Sequence, residues 1–242
     1  MALPPGWLLD LEGDPVPYAE IWALQRELLR ARQNGIVPDV LLLLEHLPVV
    51  TIGRSGDRAH VLVPREALAA RGIELYEIER GGSATYHGPG QLVGYPILDL
   101  RRLREDVGRF MRTLEATVIE TLKDFGIDAG REPGYPGVWV GGAKIAALGV
   151  AIKRRVTMHG FALNVTTDLS AFDLINPCGL DRPVTSMAAV LGRAVALGAV
   201  RRAYAGHFAD AFGLRLERMT RDAILAALAQ GNPAPASVGS ST

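Results

Sequence analysis

The sequence predicts an α+β fold, a mixed β-sheet with flanking helices, and three observations carry that prediction. Apolar runs of strand length alternate with helical periods, but without the regular βαβ rhythm of a doubly wound parallel sheet. Residues 106–126 show a clear 3.6-residue period. Beyond Gly137, apolar runs broken by paired glycines and a basic tip read as strands joined by turns.

Taken in order, "YAEIWALQRELLRAR" places Ile21, Leu24, Leu28 and Leu29 on one helical stripe, and Gly35 follows where a left-handed cap can close the helix. "DVLLLLEH" and "VVTIG", separated by Pro48, suit two strands, the first buried on both faces. "PREALAARG" has Pro64 at a first helical position and Gly72 past the end, and "IELYEIE" then reads as a strand. "RGGSATYHGPGQ" follows as a glycine-rich loop before the strand "LVGYPILDL". In the long helix Val107, Phe110, Met111, Leu114, Val118, Leu122 and Phe125 form the apolar face. Two strands meet at the tip Lys153, Arg154, Arg155, and helices near 199–212 and 221–229 flank the strand-like "LRLERM".

The 242 residues, 48% hydrophobic and 21% charged, suffice for one sizeable core. Residues 1–230 are expected to form a single domain, and 231–242, rich in proline, glycine and serine, a mobile tail. Twenty-six basic side chains balance twenty-six acidic ones, which argues against a protein that coats nucleic acid. A single cysteine excludes an internal disulfide framework and favours a reducing compartment. The N-terminus lacks a basic n-region, and no run of about eighteen apolar residues is present to span a bilayer. These features predict a cytoplasmic, soluble protein without nucleic-acid or membrane partners, and a monomer is expected.

Cys178 in "INPCGL" is the first candidate for chemistry. A lone cysteine is often a small buried hydrophobe, but Pro177 and Gly179 set this one on a turn, where a substrate can reach a thiol. A thiol reacts as thiolate and needs a neighbour to take or balance its proton. None of His46, His60, His87, His159 and His207 forms a zinc-binding spacing with another ligand, so no metal is implied. Lys144, among small and apolar residues in "GGAKIAALG", is either a strand-edge side chain that snorkels or a desolvated lysine that serves the cysteine. Gly137, Gly142 and Lys144 approach a phosphate-binding loop, but Ala143 intrudes and Ile145 replaces the magnesium-binding hydroxyl, so a nucleotide site is rejected. Glycines 81, 82, 88 and 90 let main chain approach a ligand closely, beside the donors of Arg80, Ser83, Thr85, Tyr86 and His87.

Together, "RGGSATYHGPGQLVGYPILDL", "GVWVGGAKIAALGVAI", "VTMHGFALNV" and "INPCGL", in this order, resemble the lipoate-protein ligase B family, the octanoyltransferases of lipoate biosynthesis. The resemblance covers roughly two-thirds of the chain, from "EHLPVVTIGR" to "VTSM". It implies a fold similar to the catalytic domain of biotin and lipoate protein ligases. It also implies transfer of octanoyl from acyl carrier protein to a lysine on lipoyl domains of 2-oxoacid dehydrogenase complexes or the glycine-cleavage H protein. By resemblance, Cys178 carries the acyl thioester and Lys144 is its acid/base partner. Arg80, Gly81, Gly82, Ser83, Ala84, Thr85, Tyr86 and His87, then Ala147, Leu148 and Gly149, then Gly160, Phe161 and Ala162, match substrate-binding stretches. Leu47 and Val50 depart from the family pattern and are expected to alter the pocket lining.

Passing an acyl group from thioester to thioester to amide runs downhill, so no ATP, metal or other cofactor is expected. The alternative on the same fold is an ATP-dependent lipoate or octanoate ligase, which would not require Cys178. A non-catalytic acyl carrier and a cysteine hydrolase are the remaining rivals. Arg54, Arg58, Arg101, Arg102 and the 153–155 cluster are candidates for steering acidic partners.

Overall fold

The computed structural model describes residues 2–103, 106–176 and 182–231. β1 (Pro5–Asp10) leads into α1 (Tyr18–Gln33). That helix ends as its glycine predicts: Gly35 has φ +73°, and Ile36 N–H donates to Ala31 O at 2.9 Å in a Schellman-type closure. β2 (Asp39–Leu44) and β3 (Val49–Ile52) lie either side of Pro48. α2 (Arg65–Ala69) begins one residue later than predicted, because Pro64, at ψ 153°, is extended and caps the helix from outside. β4 (Glu74–Glu77), β5 (Ala84–His87) and β6 (Gln91–Ile97) follow, then α3 (Val107–Asp124), whose first turn is capped by the Asp106 side chain accepting from Arg109 N at 2.8 Å. β7 (Gly130–Glu132), β8 (Tyr135–Val140), β9 (Ala143–Lys153) and β10 (Val156–Asn164) run consecutively. α4 (Met187–Leu191), α5 (Leu197–Phe212), β11 (Arg215–Arg218) and α6 (Arg221–Gly231) complete the described chain, so Gly231, expected in the tail, instead closes a helix.

The sequence reading passes over β1, β5, β7 and α4, and where it expects two strands after Gly137 there are three. Gly141 and Gly142, at φ +56° and +83°, make the two-residue turn of the β8–β9 hairpin, a conformation open to glycine at no steric cost. The glycines that resemble a phosphate loop therefore serve a hairpin. The next turn stands at the predicted tip, with Arg154 and Arg155 at φ +47° and +71°.

Eight strands form one mixed sheet in the order β11-β1-β2-β6-β10-β9-β8-β7. β11, β1 and β2 are parallel, and every other pairing in it is antiparallel. Alternation along β2 explains its unbroken apolar run: Leu41 and Leu43 face Phe110, Leu114 and Phe208 of α3 and α5, while Val40, Leu42 and Leu44 face Ile21, Leu24 and Leu28 of α1 and Ile224 of α6. Helices cover both faces, and each such leucine contributes roughly 1.5–3 kcal/mol by leaving water. A second sheet, β4-β3-β5, packs through Val50, Tyr86 and Phe172 and carries the glycine-rich segment to the large sheet, where Gly81 N–H donates to Val150 O at 2.9 Å. No helix among the described residues is long and apolar enough to cross a membrane.

Candidate active site

Where the glycine-rich segment crosses β9 and β10, a cavity of about 570 Å³ opens. Its walls are Arg80 to Thr85 and His87 from the segment, Lys144 and Ala147 to Val150 from β9, and Gly160, Phe161 and Ala162 from β10. Met111 of α3, Gly134 to Pro136, Phe172 and Val184 close it. Six residue steps of extended strand lead from Lys144 to Val150, so the cavity follows β9 for about 20 Å.

Glycine is required here by close approach. A Cβ on Gly149 would lie 2.8 Å from Gly81 O, and one on Gly53 would collide with Gly82 O. The 53–55 turn interlocks with the segment: Gly53 N, Arg54 N and Ser55 N donate to Ser83 O, Arg80 O and Gly82 O at 3.0, 2.9 and 3.2 Å. The buried Arg80 guanidinium braces the same turn, donating from Nη2 to Thr51 O at 2.7 Å and to Thr51 Oγ1 at 3.0 Å. The segment is thus a rigid wall whose main-chain hydrogen bonds are satisfied from behind.

Strand alternation sorts β5. Thr85 and His87 face the cavity, while Tyr86 turns away and packs edge-on against Phe172, ring centroids 5.7 Å apart. Tyr86 is the one predicted binding residue among those described that does not line the cavity. Leu47 and Val50, expected to alter the lining, do not reach it: Leu47 is 44% exposed and Val50 is buried in the core of the small sheet.

His87 is buried, and desolvation, reinforced by the neighbouring His46 ring 5.9 Å away, pulls its pKa down to about 3. It is neutral at physiological pH. Gln91 Nε2 donates to Tyr86 O at 3.2 Å and to Asn164 Oδ1 at 2.8 Å, which leaves Gln91 Oε1 to accept from His87 Nδ1 at 2.8 Å. Nε2 of His87 therefore carries the lone pair. Behind it, His46 donates from Nδ1 to Val16 O at 3.1 Å and accepts at Nε2 from Tyr95 Oη at 2.8 Å; burial lowers its pKa to about 4.

Lys144 stands at one end of the cavity on β9, opposite Trp139 of β8. Its amide donates to Pro183 O and its carbonyl accepts from Thr185 N, both at 2.9 Å, so its backbone pairs with the chain just after residue 181. Just before residue 177, Asn176 N donates to His60 O at 2.7 Å, and the His60 ring meets Ser83 Oγ at 2.8 Å. Both flanks of the interval 177–181 are anchored at the cavity's rim. Cys178, the predicted acyl carrier, lies outside the described residues.

Residues 17–209 match the family model of the lipoyl protein ligase A/B catalytic domain. The chain belongs to the lipoyl protein ligase A/B family. Within it, the chain is 51% identical over 222 residues to an octanoyltransferase of Gloeobacter violaceus, covering 91% of this chain and 97% of the relative. It is 52% identical over 201 residues to an octanoyltransferase of Solibacter usitatus, covering 83% and 91%. A solved lipoate-protein ligase A bound with ATP superposes with TM-score 0.72 over 95% of this chain and 94% of the other at 22% identity, a likeness of fold. The mixed sheet with flanking helices is the lipoyl protein ligase architecture that the sequence motifs imply.

In this member of the lipoyl protein ligase A/B family, sequence reasoning did not single out Trp139, Asn164 or Gln91 and weighed His60 only among the five histidines; Trp139 meets Lys144, Gln91 meets His87, His60 meets Ser83, and Asn164 links Gln91 to Thr185. Trp139, Gln91 and Asn164 stand inside the motifs that identify the family, but nothing local in those motifs shows which neighbour each side chain meets.

Proposed function

We propose that the chain is an octanoyltransferase of lipoate biosynthesis, an acyltransferase that moves an octanoyl group from a carrier thioester through Cys178 to a lysine amine of a lipoyl domain. The observation that carries the reading is the cavity itself. Thirteen of the fourteen predicted binding residues line it, Lys144 stands at its end, and the walls from β9 and β10 are almost wholly alanine, leucine, valine, phenylalanine and glycine. An eight-carbon chain suits such walls through loss of water-exposed apolar surface.

In the proposed cycle Lys144 takes the thiol proton, and the Cys178 sulfur attacks the donor carbonyl. A carbon–sulfur bond to the enzyme forms, and the bond to the phosphopantetheine sulfur of acyl carrier protein breaks. Lys144 returns the proton to the departing thiolate. The acceptor amine then attacks the enzyme thioester, a carbon–nitrogen bond forms, and the amine's surplus proton goes to the released sulfur by way of Lys144. Thioester exchange followed by amide formation needs no nucleotide, so the reading is independent of ATP, metal and other cofactors. Positioned acid/base help of this kind is worth about 10²- to 10⁴-fold. Acyl carrier protein as donor, and lipoyl domains of 2-oxoacid dehydrogenase complexes and the glycine-cleavage H protein as acceptors, complete the proposal.

Intact mass spectrometry after mixing with octanoyl acyl carrier protein tests it. The expected result is an octanoyl adduct mapped by peptide analysis to Cys178, absent in Cys178→Ser, and formed at least 100-fold more slowly in Lys144→Ala. Full transfer by both variants would refute the Cys178/Lys144 dyad, and octanoylation only with ATP and free octanoate would replace this reading with that of an adenylating ligase.

A further inference from the structure

We infer that the Trp139 indole is the seat that positions the Lys144 ammonium, and that Gly137 is the gap through which the lysine stem reaches it. Trp139 and Gly137 are then positioning residues for proton transfer, an inference that rests on the role proposed above for Lys144.

Trp139 and Lys144 are cross-strand partners on β8 and β9, and Nζ lies 4.8 Å from the indole centroid, within the range of a cation–π contact. The pairing shifts register between Val138 and Trp139, since Val138 answers to Ala146 and Trp139 to Lys144. Ile145 is thereby left as the extra residue of a bulge, a device that re-aims neighbouring side chains. The indole is itself held. It is 5% exposed, its Nε1–H donates to Tyr135 O at 3.2 Å, and the Tyr135 ring meets it edge-on with centroids 6.3 Å apart.

Gly137 supplies the space. At φ +134° it occupies a conformation that other residues rarely adopt, and a Cβ there would lie 2.8 Å from Ala146 O and 3.2 Å from Lys144 Cε. A side chain would collide with the β9 backbone and press on the lysine stem.

Among the described residues, two carboxylates come near this seat. From α3, Glu115 accepts from Gly137 N at 3.2 Å and is paired with Arg131 at 2.8 Å. From β7, Glu132 is paired at 3.3 Å with Arg182, which approaches the Tyr135 ring at 4.9 Å and the same indole at 5.7 Å. Both carboxylates are thus engaged by arginines. An aromatic face holds an ammonium by its quadrupole and adds no counter-charge, so it orients Nζ without clamping the proton as a carboxylate would.

The chain has three lysines, Lys123, Lys144 and Lys153, so the side-chain titration of Lys144 is readable by NMR in ¹³C-lysine-labelled full-length protein. Trp139→Leu is expected to lower the Lys144 pKa by about half to one unit and to slow octanoyl adduct formation about tenfold. Trp139→Phe, which keeps a ring, should recover to within about threefold of the parent rate. If Trp139→Leu does not fold, fluorinated tryptophan, which weakens the ring quadrupole at nearly constant shape, must lower the Lys144 pKa progressively with fluorine number. An unchanged Lys144 titration in these proteins, or a Trp139→Phe protein as slow as a folded Trp139→Leu, overturns the inference. Lys144→Ala run alongside separates the two levels. Wild-type adduct formation by that variant sinks the role of the lysine, whereas a slow Lys144→Ala with an unmoved titration sinks only the seat.

Discussion

The Lys144 carbonyl accepts the Thr185 amide at 2.9 Å, so the lysine's own backbone anchors the chain that returns from the 177–181 interval. Thr185 is held from its other side as well: its carbonyl accepts from Asn164 Nδ2 at 3.0 Å, Asn164 Oδ1 accepts from Gln91 Nε2 at 2.8 Å, and Gln91 Oε1 accepts from His87. A buried polar chain thus runs from the cavity wall to the backbone of Lys144.

Asn164→Ala is expected to leave one of the two Gln91 Nε2 protons and Thr185 O without their partner, the other proton staying on Tyr86 O, at a cost of about 1–3 kcal/mol for each group left unsatisfied. Urea denaturation measures the loss of stability, and mass spectrometry of the octanoyl adduct measures the accompanying slowing. A folded Asn164→Ala protein that acylates at the parent rate would detach this network from the chemistry.

Gly94 of β6 lies directly beneath the Phe161 ring, and a Cβ there would overlap it. Phe161 lines the cavity and packs on Tyr204 with centroids 4.3 Å apart, so it has little freedom to retreat. Gly94→Ala is expected to destabilise the fold by about 1–3 kcal/mol through overpacking. The displaced ring should also shift preference from octanoyl toward shorter acyl donors, read as the ratio of hexanoyl to octanoyl adduct rates; an unchanged ratio would place the acyl chain away from Phe161.

Stability should fall as pH drops below about 6.5, the ordinary histidine value. In the unfolded chain His46 and His87 take up protons near that pH, while burial holds their folded pKa values down to about 4 and about 3. Between those limits the unfolded state binds more protons, so each histidine lowers stability by about 1.4 kcal/mol per pH unit of acidification, and above 6.5 neither contributes a slope. Denaturant melts from pH 8 to 4.5 test the sign; Gln in place of either histidine should flatten the profile.

Arg201, 2% exposed, donates from Nη1 to the buried Asp10 carboxylate at 2.6 Å and from Nη2 to Leu11 O at 3.2 Å, tying α5 to β1. Arg201→Ala is expected to cost about 3–5 kcal/mol, because it breaks a buried pair and leaves the Asp10 carboxylate to the more distant and more exposed Arg218 at 3.6 Å. The double variant with Asp10→Asn should recover part of that loss in thermal melts.

Much of this molecule is legible along the chain. The face of α3 follows from the spacing of Phe110, Leu114, Val118 and Leu122, since helical periodicity depends only on neighbours three and four apart. The double burial of β2 follows from its unbroken leucines, and the closure of α1 from Gly35. The motifs also delimit the cavity, because each wall is a short contiguous stretch. Elements without such local pattern were not legible. β1 is held between β2 and β11 by partners some thirty and two hundred residues away, and β5 is a four-residue strand paired with β3 inside glycine-rich sequence. The residue types at the site are written in the chain: a lysine among small residues, glycines where main chain must approach, and a lone cysteine between proline and glycine. That Tyr86 faces away, that Trp139 lies against Lys144, and that Asn164 and Gln91 link His87 to Thr185 emerges once the strands pair. Those contacts join strands through register and pleat, and the direction of a side chain across a sheet is set by its partners.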